Sequence, residues 1–227
     1  MREAIGGLFA ICMFLMLAYA IAGFLTLGDE ERQIKEEEAR QEALLSDDTV
    51  VNNVSKNTIR RTCQVENFDF ITTYSTGTYD LDKWKFTDSK AIDVSAEVKN
   101  VSKGTTILIN NIYINMTLKS TEDKIDETVI QYCKNDSYVG KQQDGFLINE
   151  TYNYQKTFLI NALNEDFIDN YTSRYGTLSE EYIVDKFYAN KIQIRYDLLI
   201  KNEGEELYHS VSVSEEFTIP VIKEKTE

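Results

Sequence analysis

Proline is almost missing from this chain: Pro220 is the only one in 227 residues, alongside one histidine, one tryptophan and three cysteines. A single histidine excludes a zinc site built on several imidazoles. Three cysteines exclude a disulfide-dense scaffold or a four-cysteine zinc ribbon. Basic charge is also short, with 24 Lys and Arg against 38 Asp and Glu, a net charge of −14. That deficit excludes nucleic acid as a partner, and a docking patch for anionic lipid headgroups, since both need basic surface. No motif for catalysis or for a cofactor stands out, and neither enzyme activity nor a cofactor is expected.

What is present begins with a charge-free run from Ala4 to Leu27. As a helix it spans roughly 36 Å, enough to cross a hydrocarbon core of ~30 Å with some tilt. Ala18-Tyr19-Ala20 has the form of a signal-peptidase site. The apolar character nevertheless continues past it through Ile21, Phe24, Leu25 and Leu27, which favours an uncleaved anchor. Cys12 lies inside this run and reads as packing. Basic residues flank the run on both sides, so the positive-inside rule does not orient it. The export-like character of the remainder favours a cytoplasmic N-terminus and a C-terminal domain outside the cell.

Three segments follow: an anchor over 1–28, a charged stalk and linker over 29–57, and a β-rich domain over 58–227. Asp29 to Leu45 is rich in Glu, Gln, Arg and Ala, strong helix formers with too few apolar residues for a core-facing stripe. Further on, period-two alternation takes over. Ile92, Val94, Ala96 and Val98 alternate with Asp93, Ser95, Glu97 and Lys99, as in a half-buried strand. Ile192, Ile194, Tyr196, Leu198 and Ile200 do the same, and Asn202-Glu203-Gly204 closes a hairpin onto Leu207, His209, Val211, Val213, Phe217 and Ile219.

Apolar parity switches between Ile107/Ile109 and Ile112/Ile114/Met116/Leu118, which predicts a β-bulge at Asn110-Asn111. Tyr152, Tyr154, Phe158 and Ile160 make another strand. Shorter strands are expected at Phe68–Tyr74, Trp84–Thr87 and Val129–Cys133. Between Ala162 and Tyr188 the period turns helical, with a capping box at Thr177 and Glu180. The fold expected is mainly β: a β-sandwich-like ectodomain with a short helical insertion, preceded by a transmembrane helix and a charged helical stalk.

Candidate sites are few. Cys63 and Cys133 form an even pair in an export-like domain, either a disulfide closing a loop of about 70 residues, worth roughly 4 kcal/mol, or two separate buried thiols. His209 reads as structural. Asp80, Asp82 and Asp88 resemble part of a calcium loop, but Trp84 occupies the place of the third ligand. Sequons occur at Asn53, Asn100, Asn115, Asn135, Asn149 and Asn170. Their number fits either a glycoprotein or an Asn-, Lys- and Ile-rich bacterial composition in which sequons carry no meaning, and Asn115, within an apparent strand, favours the second. Tyrosine is abundant, and Tyr152, Tyr154, Tyr171, Tyr175, Tyr182 and Tyr188 cluster late in the domain as candidate interaction aromatics.

Met1-Arg2-Glu3-Ala4-Ile5-Gly6-Gly7, leading straight into the apolar run, resembles the start of pilin-like single-pass proteins from Gram-positive type IV or Tad-type pilus clusters. That resemblance implies a helix that assembles with partner helices, in homo- or hetero-assembly, as well as anchoring. The ectodomain resembles immunoglobulin-like sandwiches of bacterial surfaces at the level of pattern. The function expected is a structural or protein-interaction role at the cell surface. A receptor or adhesin domain for a small ligand or glycan is the alternative, and an extracellular hydrolase ranks below it.

Overall fold

A computed structural model describes residues 31–49, 57–77, 89–123, 125–126, 129–134, 145–160 and 186–221. The chain divides into two compact units, Met1–Ala43 and Leu44–Glu227. A helix (α1) covers residues 31–46 in the Glu-, Gln- and Ala-rich segment. Most of its side chains face solvent, and Arg40 pairs with Glu37 one turn back at 3.6 Å. The apolar run over 4–27 lies outside the described residues. Among those described, no helix is long and apolar enough to cross a membrane.

The second unit is two antiparallel sheets. The first has the order β1-β2-β3-β7, from Thr58–Val65, Phe68–Ser75, Lys90–Lys99 and Tyr154–Ile160. The second has the order β5-β4-β8-β9, from Val129–Lys134, Thr106–Ser120, Phe187–Lys201 and His209–Pro220. A short strand β6 (Phe146–Ile148) pairs with the N-terminal part of β4, on the edge that β5 occupies further along. Alternation explains why these segments are strands. Ile92, Val94, Ala96 and Val98 from β3 and Ile192 to Ile200 from β8 all point into one shared core. Rings meet across it, Phe70 edge-on to Tyr196 at 5.2 Å and Tyr74 against Phe217 at 5.0 Å.

The parity switch in β4 is a bulge. Its register against β8 slips between Ile109 and Asn111, so Ile107, Ile109, Ile112 and Ile114 all reach the core. The β3–β4 connection is a crossing from one sheet to the other rather than a hairpin. It lies against the β8–β9 turn: a Cβ on Gly104 would sit 2.8 Å from Cβ of Glu203, and Thr105 Oγ1 donates to Asn202 Oδ1. With φ +81° as well, position 104 has two separate reasons to be glycine.

Two expectations are corrected. Phe187 and Tyr188 open strand β8 instead of closing a helix; Lys186 just before them is helical, and 162–185 lies outside the described residues. Leu207 is 80% exposed at the hairpin tip, because β9 starts only at His209. The Trp84–Thr87 segment and Asp80, Asp82 and Asp88 also fall outside the described residues.

Strand β9 is an edge, and its free side is managed in two ways. Thr218 N donates to the carbonyl of Thr49, so the segment following α1 covers part of the edge. Asp47 secures that contact, accepting from Thr49 N, Thr49 Oγ1 and Thr218 Oγ1 at 2.9, 2.6 and 3.1 Å. Burial pulls the Asp47 pKa upward, but those hydrogen bonds and the charge of Lys191 outweigh it and leave the carboxyl lowered. The second device is an inward-pointing charge, Glu215.

Candidate functional site

The outer face of the second sheet carries the most developed surface. Register places Tyr132, Asn115, Gln193 and Glu216 in one row across β5, β4, β8 and β9. The adjacent row runs through Tyr113, Arg195 and Ser214. These positions alternate with the buried Ile114, Ile194 and Tyr196, so their side chains stand on the solvent side. Together they line an open groove of about 710 Å³.

Contacts fix the groove internally. The Tyr113 and Tyr132 rings lie 6.3 Å apart with planes 34° from parallel, and the Arg195 guanidinium stacks 4.3 Å from the Tyr113 ring centre. Arg195 Nε also pairs with Asp197 Oδ1 at 3.2 Å, and Ser212 donates to the same oxygen. Asn115 Nδ2 donates to Gln193 Oε1, and Gln193 Nε2 donates to Glu216 Oε2, which Lys191 Nζ meets at 3.1 Å. The result is an aromatic platform beside a connected row of amides and compensated charges.

A second cluster lies between the sheets at the β9 edge. Thr72 Oγ1 lies 2.9 and 2.8 Å from the two Glu215 oxygens, and the Tyr74 hydroxyl donates to Oε2 at 2.5 Å. Tyr74 and Tyr196 share a further bond at 2.9 Å. Burial holds both phenols well above their ordinary pKa, so they remain neutral donors. A carboxylate met by these hydroxyls is a satisfied inter-sheet anchor.

At one end of the domain, His209 joins two hairpins. Its Nε2 meets Glu66 of the β1–β2 turn at 2.7 Å, and its Nδ1 meets Glu205 of the β8–β9 turn at 3.4 Å. The hydrogen bond to Glu66 raises the imidazole above the usual 6.5, burial opposes it, and the two carboxylate charges add to the rise. The backbone N–H of Asn202 does most to lower Glu205, and the histidine charge contributes. A raised histidine stabilises the folded state fully below its unfolded pKa and loses that contribution as pH climbs through the folded value. Glu205 contributes above its own unfolded pKa and fades as pH falls through the lowered one. His209→Gln is therefore expected to lower the melting temperature most near about pH 6 and hardly at all near about pH 9. A deficit constant across that range, followed by calorimetry, would mean the imidazole titrates alike in both states.

The candidate cysteines Cys63 and Cys133 lie on strands β1 and β5, in different sheets. Cys63 is a free, half-buried thiol whose pKa is raised by burial and then by the charge of Glu215 on β9. Cys133 belongs to β5, at the opposite edge of the second sheet.

The tyrosine cluster is also redistributed. Tyr152 is 63% exposed in the turn before β7, but Tyr154 and Tyr188 are buried, Tyr154 edge-on to Phe146 at 5.4 Å. Both are packing residues, not surface aromatics. Tyr171, Tyr175 and Tyr182 lie outside the described residues. The aromatics that do share a surface, Tyr113 and Tyr132, escaped the sequence reading. The available signal was parity, since Tyr113 falls between Ile112 and Ile114 and so faces outward. Three sequon asparagines are described, and all have engaged side chains. Asn100 donates to Asp69, Asn115 to Gln193, and Asn149 Oδ1 accepts from Thr151 N and Tyr152 N. No group of three His, Cys, Asp or Glu among the described residues is placed to hold a metal ion.

No protein-family model matches the chain, and no curated protein does. Two solved structures are similar over much of its length. One is the X-ray structure of Northeast Structural Genomics Consortium target SoR45, 7% identical, covering 77% of this chain and 97% of that one at a TM-score of 0.31. The other is a crystal structure of a protein from Archaeoglobus fulgidus, 10% identical, covering 73% and 97% at 0.28. Likenesses at those scores say nothing about what this chain does.

Proposed function

We propose that this protein is a membrane-anchored surface protein whose β domain works by recognition rather than catalysis, through the outer face of its second sheet. The observation that carries the reading is the groove built on two adjacent strand rows, with Tyr113, Tyr132 and Arg195 beside an amide ladder. Fixed aromatic and guanidinium groups on a rigid sheet are what recognition surfaces are enriched in. The apolar run over 4–27 supports the anchor, and the export-like character of the remainder supports a domain outside the cell. The N-terminal residues add the further proposal that this helix assembles with partner helices, as in a pilus or secretion assembly.

Beads bearing the full-length chain test the reading against cell envelopes of the organism that makes it. Adhesion is expected to fall several-fold with Tyr132→Ala or Arg195→Ala and to stay unchanged with Tyr152→Ala, which lies off the groove. Equal adhesion by all four proteins would remove the groove from the account.

A further inference from the structure

We infer that the groove on the second sheet takes a neutral saccharide chain, an assignment that rests on this face being a recognition surface. Charge is the first argument. Among the described ionic groups lining the groove, Arg195 pairs with Asp197 and Glu216 with Lys191, while the Glu215 carboxylate is met by the hydroxyls of Thr72 and Tyr74. Among the described residues no cation of the groove lacks a carboxylate and so stands ready to meet an anionic ligand, and a domain within a chain of net charge −14 repels polyanions at long range. What remains on offer is a set of paired but solvent-facing hydrogen-bonding groups and two phenol rings.

The second argument is the backbone beneath. Strand β4 is hydrogen-bonded to β5 on one side and to β8 on the other at Tyr113 and Asn115. The main chain of the central strands β4 and β8 is therefore already paired on both sides beneath Tyr113, Asn115, Gln193 and Arg195, and cannot add a peptide strand there. Over those central strands recognition falls to side chains.

Third, those side chains match a sugar's two kinds of surface. A pyranose has apolar C–H faces and a rim of hydroxyls that each donate and accept. Tyr113 and Tyr132, with rings 6.3 Å apart and 34° from parallel, give adjacent places for C–H faces. Beside them, the primary amides of Asn115 and Gln193 each combine donors with an acceptor on one plane, and Ser214 and Glu216 extend the row. All are fixed by strand register rather than by loops, so little ordering entropy is lost on binding.

The full-length chain in detergent micelles is applied to a printed array of glucose-, mannose-, galactose- and N-acetylglucosamine-based oligosaccharides, with sulfated and sialylated oligosaccharides alongside. Retention of neutral oligosaccharides is expected, weakened about tenfold by Tyr132→Ala and by Gln193→Ala but not by Tyr152→Ala, with unchanged melting as the check on folding. Envelope adhesion is run in parallel on envelopes treated with periodate, which cleaves vicinal diols, or with protease. Loss after periodate and survival after protease agrees with the proposal. Retention of anionic oligosaccharides only, or retention indifferent to Tyr132, overturns it. A silent array with protease-sensitive, Tyr132-dependent adhesion overturns the saccharide while leaving the recognition surface standing. A silent array with Tyr132-independent adhesion overturns both.

Discussion

Tyr196→Ala is expected to destabilise the β domain by about 4 kcal/mol, the range for deleting a fully buried aromatic ring. Tyr196 has no exposed surface, meets the Phe70 ring edge-on at 5.2 Å, and shares its hydroxyl with Tyr74 at 2.9 Å. The substitution removes the ring, leaves a cavity between the sheets and strips Tyr74 of one partner. Domains of this size are stable by only about 5–15 kcal/mol, so the loss is a large share of the whole. In urea the midpoint should fall by roughly 2 M for a slope of about 2 kcal/mol/M. Tyr196→Phe keeps the ring and should cost only about 1 kcal/mol. If the two variants melt together, the hydroxyl network and not the packing of the ring dominates at this position.

Glu215→Ala is expected to cost about 3 kcal/mol, although the residue sits on an edge strand and is only half-buried. Its carboxylate is the acceptor for both Thr72 and Tyr74, side chains that are themselves inside the core. Removing it takes the acceptor from Thr72 and leaves the Tyr74 hydroxyl with Tyr196. A double-mutant cycle isolates the effect. Thr72→Val should be costly in the native background and nearly free once Glu215 is alanine, a coupling of about 1–2 kcal/mol. Additive costs in urea melts would show that Thr72 finds another acceptor and that the carboxylate is not its anchor.

Several strands are legible in the sequence because a half-buried sheet writes its two faces into alternate residues. Ile92 to Val98 and Ile192 to Ile200 show this without help. Even the bulge at Asn110-Asn111 is readable, since a one-residue slip exchanges the faces and the isoleucines change parity there. Strand order is a different matter. Alternation says which residues face inward but nothing about which strand lies beside which. Alternation likewise cannot tell a disulfide between Cys63 and Cys133 from two separate thiols, and the strands that carry them, β1 and β5, belong to different sheets. The same gap hid the groove. Tyr113, Tyr132, Gln193 and Arg195 lie far apart along the chain, and only register brings them into adjacent rows. Abundance misled for Tyr154 and Tyr188, because a tyrosine fills a core as readily as it faces a partner.

The ladder between Thr106–Ser120 and Phe187–Lys201 joins strands about eighty positions apart in sequence. Ribosomes add about 5–20 residues per second, so β4 waits several seconds for its partner. During that interval the hairpin of β1 and β2 can form locally, yet Phe68, Phe70 and Tyr74 have no second sheet to cover them. Closing so long a loop is also entropically slow, and it is the step on which the core depends. The nascent chain is thus a sticky half-sandwich until its last sixth is made, and a holdase that covers β2 should raise its yield more than any factor acting on the finished fold.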